Sequence, residues 1–314
     1  MRIAVAGEAV MDFTSVGDLL FQAHFGGSPL NTALAAARLG QKTGFLTQLS
    51  SDLFGQRLKA HLEANGVDLR FLVTHDAPTT LAFAVRTGAS NRYAFFRQGS
   101  ADSLYRPAPL PELPPETVFF QFGSVALLTD PAAACILALA RRYHGDRIVV
   151  CDPNVRPSLI DDLDAYRNRF RGWCRHMDLL KVSDEDQVLL EPGVGPETAA
   201  MRWLDLGVRA VVVTRGADGA LLFRPGRPPL AVPAPTVPVA DTIGAGDTFS
   251  AGLLTGLLEN GVASLAALAG AGDAVWARAL TLAAAAAAIN CTREGAQPPT
   301  RADVAAFMER DPGR

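Results

Sequence analysis

The feature that most constrains the fold is a regular alternation of short apolar runs with helical segments along the 314-residue chain. Several runs are apolar throughout, as expected for strands that are covered on both faces of a sheet. The predicted strands are Ile3–Ala6, Thr43–Leu49, Thr117–Phe122, Ile148–Asp152, Leu179–Val182 and Ala210–Thr214. Helices are predicted over Asn31–Leu39, Leu53–Asn65 and Pro196–Leu206, with a further helix beginning at Asp130-Pro131. This alternation predicts an α/β fold with a mostly parallel central sheet and helices on both faces.

Two stretches in the first third of the chain depart from this alternation. In Met11–Phe25 and Thr79–Arg97, apolar residues alternate with small or polar ones on either side of a turn signal. The turns are predicted near Gly17-Asp18 and Gly88–Asn91. We therefore expect two β-hairpins that form a small accessory sheet projecting from the main domain.

Composition and charge exclude several classes of protein. A hydrophobic content of 49% with 19% charged residues is enough apolar material for a core, which excludes global disorder. Lys and Arg total 29 against 32 Asp and Glu, so the net charge of −3 offers no basic excess to bind nucleic acid. The four cysteines show neither C-x-x-C nor His-paired metal spacing. We therefore expect reduced thiols in a cytoplasmic protein.

Neither a signal peptide nor a membrane segment is expected. The chain opens with a predicted strand rather than with a long apolar stretch of the signal-peptide type. The longest apolar stretch, Ala277–Ile289, contains Arg278 and Thr281. It should be too short and too weakly hydrophobic to span a bilayer.

The strongest chemical signal is the nonapeptide Asp241–Phe249, which reads DTIGAGDTF and precedes an apolar helical run. Its glycines allow a tight turn and close backbone approach to a ligand. The amides of Gly244, Ala245 and Gly246 would lie at the positive end of that helix, where they would form an anion site. Asp247, in the first turn, would stand beside the anion, placed to accept a proton from an attacking hydroxyl group. An anion hole and a base are together the parts of a phosphoryl-transfer site.

The shorter pattern G-A-G-D carries little information by itself. It recurs at Gly270–Asp273 without the preceding Asp-Thr, where it predicts only a loop that begins a helix. Other motifs are missing: the sequence contains no G-x-x-x-x-G-K-[ST], no complete G-x-G-x-x-G, no H-E-x-x-H and no G-x-S-x-G. A P-loop is therefore excluded, and a Rossmann dehydrogenase is disfavoured.

The nonapeptide resembles the signature of the ribokinase-type (PfkB) carbohydrate kinases. Further segments resemble that family in order and spacing along nearly the whole chain, and the first of them is similar to the opening of the fructokinase branch. These segments are Gly7–Phe13, Gly26–Ala33, Asp52-x-Phe54-Gly55, Gly66–Asp68, Phe122–Ser124, Asp152–Pro157, Lys181–Ser183 and Thr292–Ala296.

The resemblance implies one ribokinase-like domain over residues 1–314, with a β-sheet lid formed by residues 11–25 and 79–99. Asp247 would be the base and Gly244, Ala245 and Gly246 the anion hole. The other implied roles fall into two groups. Sugar would be bound by Asp12, Gly27, Asn31, Arg97 and Arg156, and ATP by Ser183, Thr214, Gly216 and Gly219.

Each of these assignments has a purely structural alternative. Asp12 could cap a turn, Asn31 could cap a helix, and Arg97 could be a solvated lid residue. Thr214 and the glycines after it could form an ordinary turn that follows a strand. The alanine run Ala283–Ala288 would lie near the adenine, although close packing of small residues explains it better.

Two cation sites are implied, and the sequence departs from the family pattern at both. The Asn-x-x-Glu that organises the Mg²⁺ water shell in the family reads Ser183 to Asp186 here, so the geometry of a water-mediated Mg²⁺ site stays open. A site for a monovalent cation such as K⁺ is matched in spacing. Its residues are Asp241, the Ile243 carbonyl, Asn290, Arg293 and Gly295. Pro299 replaces a serine of ribokinase, which predicts weak or altered activation by K⁺.

The resemblance implies ATP-dependent phosphorylation of a sugar primary hydroxyl, and it favours fructose. A 2-keto-3-deoxygluconate kinase is the nearest alternative, because Arg97 and Arg156 could clamp a carboxylate. A nucleoside kinase and a non-catalytic sugar or nucleotide sensor complete the alternatives. The expected partners are sugar and ATP, with no nucleic acid and no membrane. Exposed lid edges would allow a homodimer.

Overall fold

The computed structural model describes residues 1–87 and 90–310, and for residues 86, 87 and 90–93 it describes the backbone alone. The strands in chain order are β1 (Ile3–Ala6), β2 (Val10–Gly17), β3 (Leu20–Gly26), β4 (Thr43–Leu46), β5 (Gln48–Ser50), β6 (Val73–His75), β7 (Leu81–Thr87), β8 (Ser90–Phe96), β9 (Phe119–Gly123), β10 (Ile148–Asp152), β11 (Leu179–Ser183), β12 (Ala210–Thr214), β13 (Ala220–Phe223) and β14 (Leu230–Val232). The helices are α1 (Ser28–Arg38), α2 (Leu53–Ala64), α3 (Ala132–Tyr143), α4 (Leu163–Cys174), α5 (Asp184–Leu190), α6 (Pro196–Asp205), α7 (Ala245–Glu259), α8 (Leu265–Gly270), α9 (Asp273–Cys291) and α10 (Arg301–Arg310).

Eight strands form the central sheet in the order β14-β13-β12-β11-β10-β9-β1-β4. The six from β12 to β4 are parallel, and β13 and β14 are antiparallel at one edge. Alternate residues of β1 show why both faces are covered: Ile3 and Val5 pack in one hydrophobic core, and Ala4 and Ala6 in the other. The predicted α/β fold, with a mostly parallel sheet between two helical layers, is confirmed.

The predicted strand Thr43–Leu49 is wrong in extent, because it divides into two, and Thr117–Phe122 is shifted to Phe119–Gly123. β4 ends level with β1, where Leu46 pairs with Ala6. The residues that follow pass beyond the carboxyl edge of the sheet, and β5 pairs instead with β6 in a separate two-stranded sheet.

The alanine-rich helix α9 packs tightly against α7. A Cβ on Gly252 would lie 2.7 Å from the Cα of Ala283, and one on Gly256 would lie 2.6 Å from the Cα of Ala279. Close packing of small residues, the structural explanation for the alanine run, is therefore confirmed.

The expectation that the alanine-rich stretch is too short and too weakly hydrophobic to span a bilayer is wrong. Of the helices in the described part of the chain, α9 alone is long and apolar enough to cross a bilayer, with 19 residues and a mean hydropathy of 1.4. However, 61% of its most apolar window is buried inside the protein. Its contact with α7 makes it a core helix.

Four strands form the small sheet, in the order β3-β2-β7-β8. Both predicted hairpins are present, and β2 joins them by parallel pairing with β7. The first turn lies between Gly17 and Leu20, as predicted, whereas the second falls partly on residues 88 and 89, outside the described residues.

The two faces of the small sheet differ in chemistry. On one face Phe13 stacks on Phe83 at 4.8 Å between ring centroids and packs edge-on against Phe54 of α2 at 5.8 Å. The opposite face carries a cross-strand row in which Asp12 pairs with His24 on β3 and with Ala82 on β7. Ala82 pairs in turn with Phe95 on β8. The aromatic face thus anchors the sheet on α2, and the row of Asp12 lies on the other face.

Candidate active site

Residues at the carboxyl ends of the parallel strands lie along one edge of the central sheet, where ligands bind in open α/β folds. Asp152 ends β10, Ser183 ends β11 and Thr214 ends β12. Ser183 and Thr214 are directly paired across the sheet. Two residues that were assigned from distant parts of the sequence are thus neighbours.

The glycine-rich segment begins α7 as predicted. Gly244 has φ 74° and ψ 4°, and a Cβ there would lie 2.7 Å from that of Ala296, so a side chain would be both strained and obstructed. The amide of Ala245 already donates to the carbonyl of Thr242 at 3.2 Å. In the described part of the chain, the Gly246 amide has no backbone acceptor outside the helix. Of the three predicted anion-hole amides, that of Ala245 is therefore already engaged.

Asp247 is buried in the first turn of α7 and is held by two donors from α1. Ser28 Oγ donates to its Oδ1 across 2.6 Å, and Asn31 Nδ2 donates to its Oδ2 across 2.9 Å. Burial raises the pKa of Asp247, the hydrogen bond from Ser28 lowers it, and the nearby Asp152 carboxylate raises it again. A buried carboxylate fixed by hydrogen bonds, with a raised pKa, is suited to general-base chemistry.

Asn31 does not cap a helix, so that alternative is wrong. The cap of α1 is Gly27, and Asn31 lies inside the helix. Gly27 has φ 105°, and a Cβ there would lie 2.8 Å from the Glu8 carbonyl oxygen, so this close turn requires glycine. The Oδ1 of Asn31 is buried and has no partner among the described residues.

Asp12 lies on β2, above the start of α1. A Cβ on Gly26 would lie 1.9 Å from its Oδ2, so the carboxylate packs directly on the glycine backbone. Burial raises the pKa of Asp12 to about 6, the positive charge of Arg156 lowers it, and the negative charge of Asp247 raises it. Asp12 therefore lies within electrostatic reach of both Arg156 and Asp247.

Arg97 follows β8 and is buried, so the interpretation as a solvated lid arginine is wrong. Its Nε donates to Asp102 Oδ2 at 3.2 Å, and its NH1 donates to Thr129 Oγ1 at 2.9 Å. Its NH2 is buried and has no partner among the described residues. Arg97 is thus fixed by the protein and retains one unpaired donor group for a ligand.

The residues predicted for the nucleotide also build local structure. Ser183 caps α5, and it forms a capping box with Asp186. Thr214 donates from Oγ1 to the Val182 carbonyl at 3.3 Å. A short 3₁₀ turn begins at Gly216, and a Cβ on Gly219 would lie 2.1 Å from the Val232 carbonyl oxygen. The turn therefore lies close against β14, which requires glycine at position 219.

The residues of the expected monovalent-cation loop do gather, but their groups are engaged with one another. The carboxylate of Asp241 accepts the Ile243 amide at 3.1 Å and the Gly295 amide at 2.9 Å. Asn290 donates to the Ile243 carbonyl at 2.8 Å, and Arg293 donates to the Gln297 carbonyl at 3.2 Å. In residues 1–87 and 90–310, no group of three or more His, Cys, Asp or Glu side chains could hold a metal ion.

Sequence reasoning missed several buried polar residues at this edge of the sheet. Lys181 pairs with Asp152 at 2.9 Å, and Ser250 also donates to that carboxylate at 2.9 Å. Glu8 accepts the Ala126 amide at 3.0 Å, and burial raises its pKa to about 7. The available signal was a lone charge or polar residue within an apolar strand or a glycine motif, because such residues are rarely buried without partners.

The model of the pfkB family of carbohydrate kinases matches residues 2–303. The chain belongs to this family. It is therefore a carbohydrate kinase that transfers a phosphoryl group to a hydroxyl group, which confirms the interpretation as an enzyme over that as a sensor. The ribokinase-like fold is likewise confirmed.

Several relatives carry the name fructokinase. The chain is 35% identical over 259 residues to the fructokinase of Rhizobium leguminosarum bv. trifolii, covering 81% of this chain and 79% of that protein. Fructokinase-1 of Oryza sativa subsp. japonica is 32% identical, with 96% of each chain covered.

Solved structures agree with the sequence relatives. A fructokinase from Xylella fastidiosa with bound ATP superposes with a TM-score of 0.89 at 26% identity, covering 99% of this chain and 98% of that one. A double mutant of Vibrio cholerae fructokinase with bound fructose, ADP and potassium ion superposes with a TM-score of 0.86 at 26% identity, covering 98% and 97%. The fructokinase-like branch is thus confirmed.

Proposed function

We propose that this kinase transfers the γ-phosphoryl group of ATP to the primary hydroxyl of fructose and forms fructose 6-phosphate. The observation that carries the proposal is the buried Asp247 at the start of α7, held by Ser28 and Asn31. The fructokinase names of the relatives, and the fructose and ADP in the Vibrio cholerae structure, support the choice of sugar.

The geometry gives each residue a definite task. Asp247 accepts the proton of the attacking hydroxyl, while Ser28 and Asn31 keep its carboxylate oriented. The Gly246 amide and the positive end of α7 stabilise negative charge on the transferring group. The unpaired Oδ1 of Asn31 and the carboxylate of Asp12 accept hydrogen bonds from sugar hydroxyls.

The charges around the sugar site favour a neutral sugar over a keto acid. The positive charge of Arg156 lowers the pKa of Asp12, so the two charges already offset each other in part. Phe95 lies in the same cross-strand row as Asp12 and has no hydroxyl to offer a substrate carboxylate.

The test compares kcat/KM for D-fructose with kcat/KM for 2-keto-3-deoxygluconate, in wild type and in Arg156→Ala. Both sugars are measured within a screen of about a dozen sugars. We expect fructose to be preferred. Preference for the acid by more than about tenfold, or roughly 1.4 kcal/mol, together with its loss in the variant, would favour the alternative.

Mg²⁺ would accompany ATP, and the residues present suit an indirect role. Both carboxylate oxygens of Asp186 accept backbone amides, from Val155 at 2.8 Å and from Ser183 at 3.2 Å. Asp186 would therefore order water around the ion rather than ligate it. When bound, Mg²⁺ neutralises charge on the ATP phosphates. In the loop around Asp241, both carboxylate oxygens and the Ile243 carbonyl already accept hydrogen bonds, so K⁺ would compete with these donors.

The proposal extends to a homodimer formed through the small sheet. The tip of its first hairpin exposes apolar side chains, with Val16 62%, Leu19 86% and Leu20 65% exposed. Exposed apolar patches favour association. Analytical ultracentrifugation of wild type and Leu19→Ser tests this proposal, and a monomeric wild type would contradict it.

The cytoplasmic location of the protein stays a prediction.

A further inference from the structure

A buried lysine lies against the glycine-rich start of α7. Lys181 is the one charged residue of β11, and only 5% of its side chain is exposed. Its Nζ donates to Asp152 Oδ2 across 2.9 Å. A Cβ built on Gly246 would lie 3.0 Å from Nζ, so the ammonium group lies against the backbone of the anion hole.

Stability does not explain this arrangement. Removing two charges from water costs more than many buried ion pairs return, and apolar residues of similar volume often serve as well. The ammonium group has three N–H donors, and the hydrogen bond to Asp152 occupies one. Ser250 donates to the same oxygen of Asp152, which fixes the carboxylate that holds the lysine.

We propose that Lys181 is a further phosphate-binding residue, whose ammonium group contacts the transferring phosphoryl group beside the Gly246 backbone. Asp152 is then a positioning residue, because it holds the lysine and does not touch the phosphate. The inference rests on the proposed kinase function and extends it by one residue.

The charges around Lys181 keep it a cation at neutral pH. Carboxylates face it from three elements: Asp152 from β10, Asp186 from α5 and Asp247 from α7. Burial opposes the charged form, but the charge and hydrogen bond of Asp152, together with the charges of Asp186 and Asp247, outweigh burial and raise the pKa of Lys181. A fixed cation beside the anion hole would stabilise the charge that develops during phosphoryl transfer.

Lys181 also acts on the base. Its positive charge lowers the pKa of Asp247, whereas Asp152 and the Asp12 carboxylate on β2 face Asp247 with negative charge. Removal of Lys181 alone should therefore move the acid limb of kcat to higher pH. Removal of Lys181 and Asp152 together should move it back towards the wild-type position.

Calorimetric titration of ATP and of ADP into the purified protein tests the contact without requiring turnover. The variants are Lys181→Met and the double variant Lys181→Met/Asp152→Asn, which leaves no unpaired carboxylate. Loss of one charge-assisted hydrogen bond to the terminal phosphate should raise the Kd for ATP by about 10- to 100-fold. ADP lacks that phosphate, and its Kd should stay within about threefold in the double variant.

A matched control separates the contact from general loss of a buried ion pair. Arg209→Met breaks the pair of Arg209 with the fully buried Asp178, at the amino end of β11, and should leave both nucleotide affinities unchanged. ADP binding also shows that each variant is folded.

Equal weakening of ATP and ADP in the double variant, or unchanged ATP binding, would overturn the proposal. So would an acid limb that does not move in Lys181→Met. Failure of wild type to phosphorylate fructose would instead count against the proposed function, because the ATP-to-ADP comparison does not involve the sugar.

Discussion

The side-chain amide of Asn31 donates to Oδ2 of Asp247 across 2.9 Å and joins residues that are 216 positions apart in the sequence. This bond links α1, which begins at the small sheet, to α7, which carries the base. The other end of the Asn31 amide, Oδ1, is buried without a partner among the described residues. One side chain can thus orient the base with its nitrogen and accept a sugar hydroxyl with its oxygen.

Asn31→Ala should impair both tasks. The hydrogen bond from Asn31 lowers the pKa of Asp247, so its loss should move the acid limb of the kcat–pH profile to higher pH. Loss of one hydrogen bond to the sugar should raise its KM by about tenfold. Both are read from pH–rate profiles with fructose and ATP. Asn65→Ala, which removes a side-chain bond to the His61 carbonyl at the end of α2, is the control and should behave as wild type.

Asp12 should make sugar binding depend on pH near its pKa of about 6. The ionised carboxylate accepts hydrogen bonds from sugar hydroxyls, and protonation removes acceptor capacity. Because burial raises the pKa, the KM for fructose should rise as the pH falls through about 6, while the KM for ATP stays flat. In Asp12→Asn this pH dependence should vanish and KM should be high throughout. A wild-type KM that is constant from pH 5 to 8 would contradict the assignment.

The aromatic face of the small sheet should govern how well the sheet covers the sugar. Phe13→Ala removes the ring that contacts both Phe83 and Phe54 and should loosen the sheet from α2. A looser cover admits water, so sugar KM and the fraction of ATP hydrolysed without transfer should both rise. Phe96→Ala is the control within the same sheet, because Phe96 is 64% exposed and packs edge-on against Phe83, whereas Phe13 makes the ring contact with α2. An unchanged sugar KM in Phe13→Ala would contradict the assignment of the small sheet as a lid over the sugar.

Activation by K⁺ should be weak. Asp241 and the Ile243 carbonyl already accept hydrogen bonds within the loop, and Pro299 has no side-chain oxygen to contribute. We expect kcat to differ by less than about twofold between KCl and choline chloride at equal ionic strength, since the loop oxygens are already hydrogen-bonded and Pro299 adds no ligand. A several-fold, saturable rise in kcat with K⁺ would show that the loop opens to ligate the ion.

Much of the fold could be predicted from the sequence because the signals are local. Ile3–Ala6, Ile148–Asp152 and Ala210–Thr214 have the predicted bounds, since a buried parallel strand is a short apolar run between turns. The division of Thr43–Leu49 was not visible, because no glycine or proline separates the two halves and only the level of the neighbouring β1 decides where β4 ends.

The site shows the same limit. Asp247 and Asn31 could be assigned from motifs, but their bond depends on how α1 packs beside α7. Ser28 lies within the motif Gly26–Ala33 but had no assigned role, although its hydroxyl is 2.6 Å from the base. Arg97 was assigned to the lid, yet Asp102 and Thr129 hold it in the interior. Such partners are determined by tertiary packing, and no periodic pattern in the sequence predicts them.

The most direct test of the account is turnover of fructose and ATP by purified wild type and Asp247→Asn. The amide is nearly isosteric but cannot accept the hydroxyl proton, so kcat should fall by about 10²–10⁴-fold while ATP binding persists. Asp273→Asn changes the aspartate of the second G-A-G-D, which pairs with Arg224 at 2.6 Å, and should keep wild-type activity. Full activity in Asp247→Asn, with fructose 6-phosphate formed at the wild-type rate, would contradict the central claim.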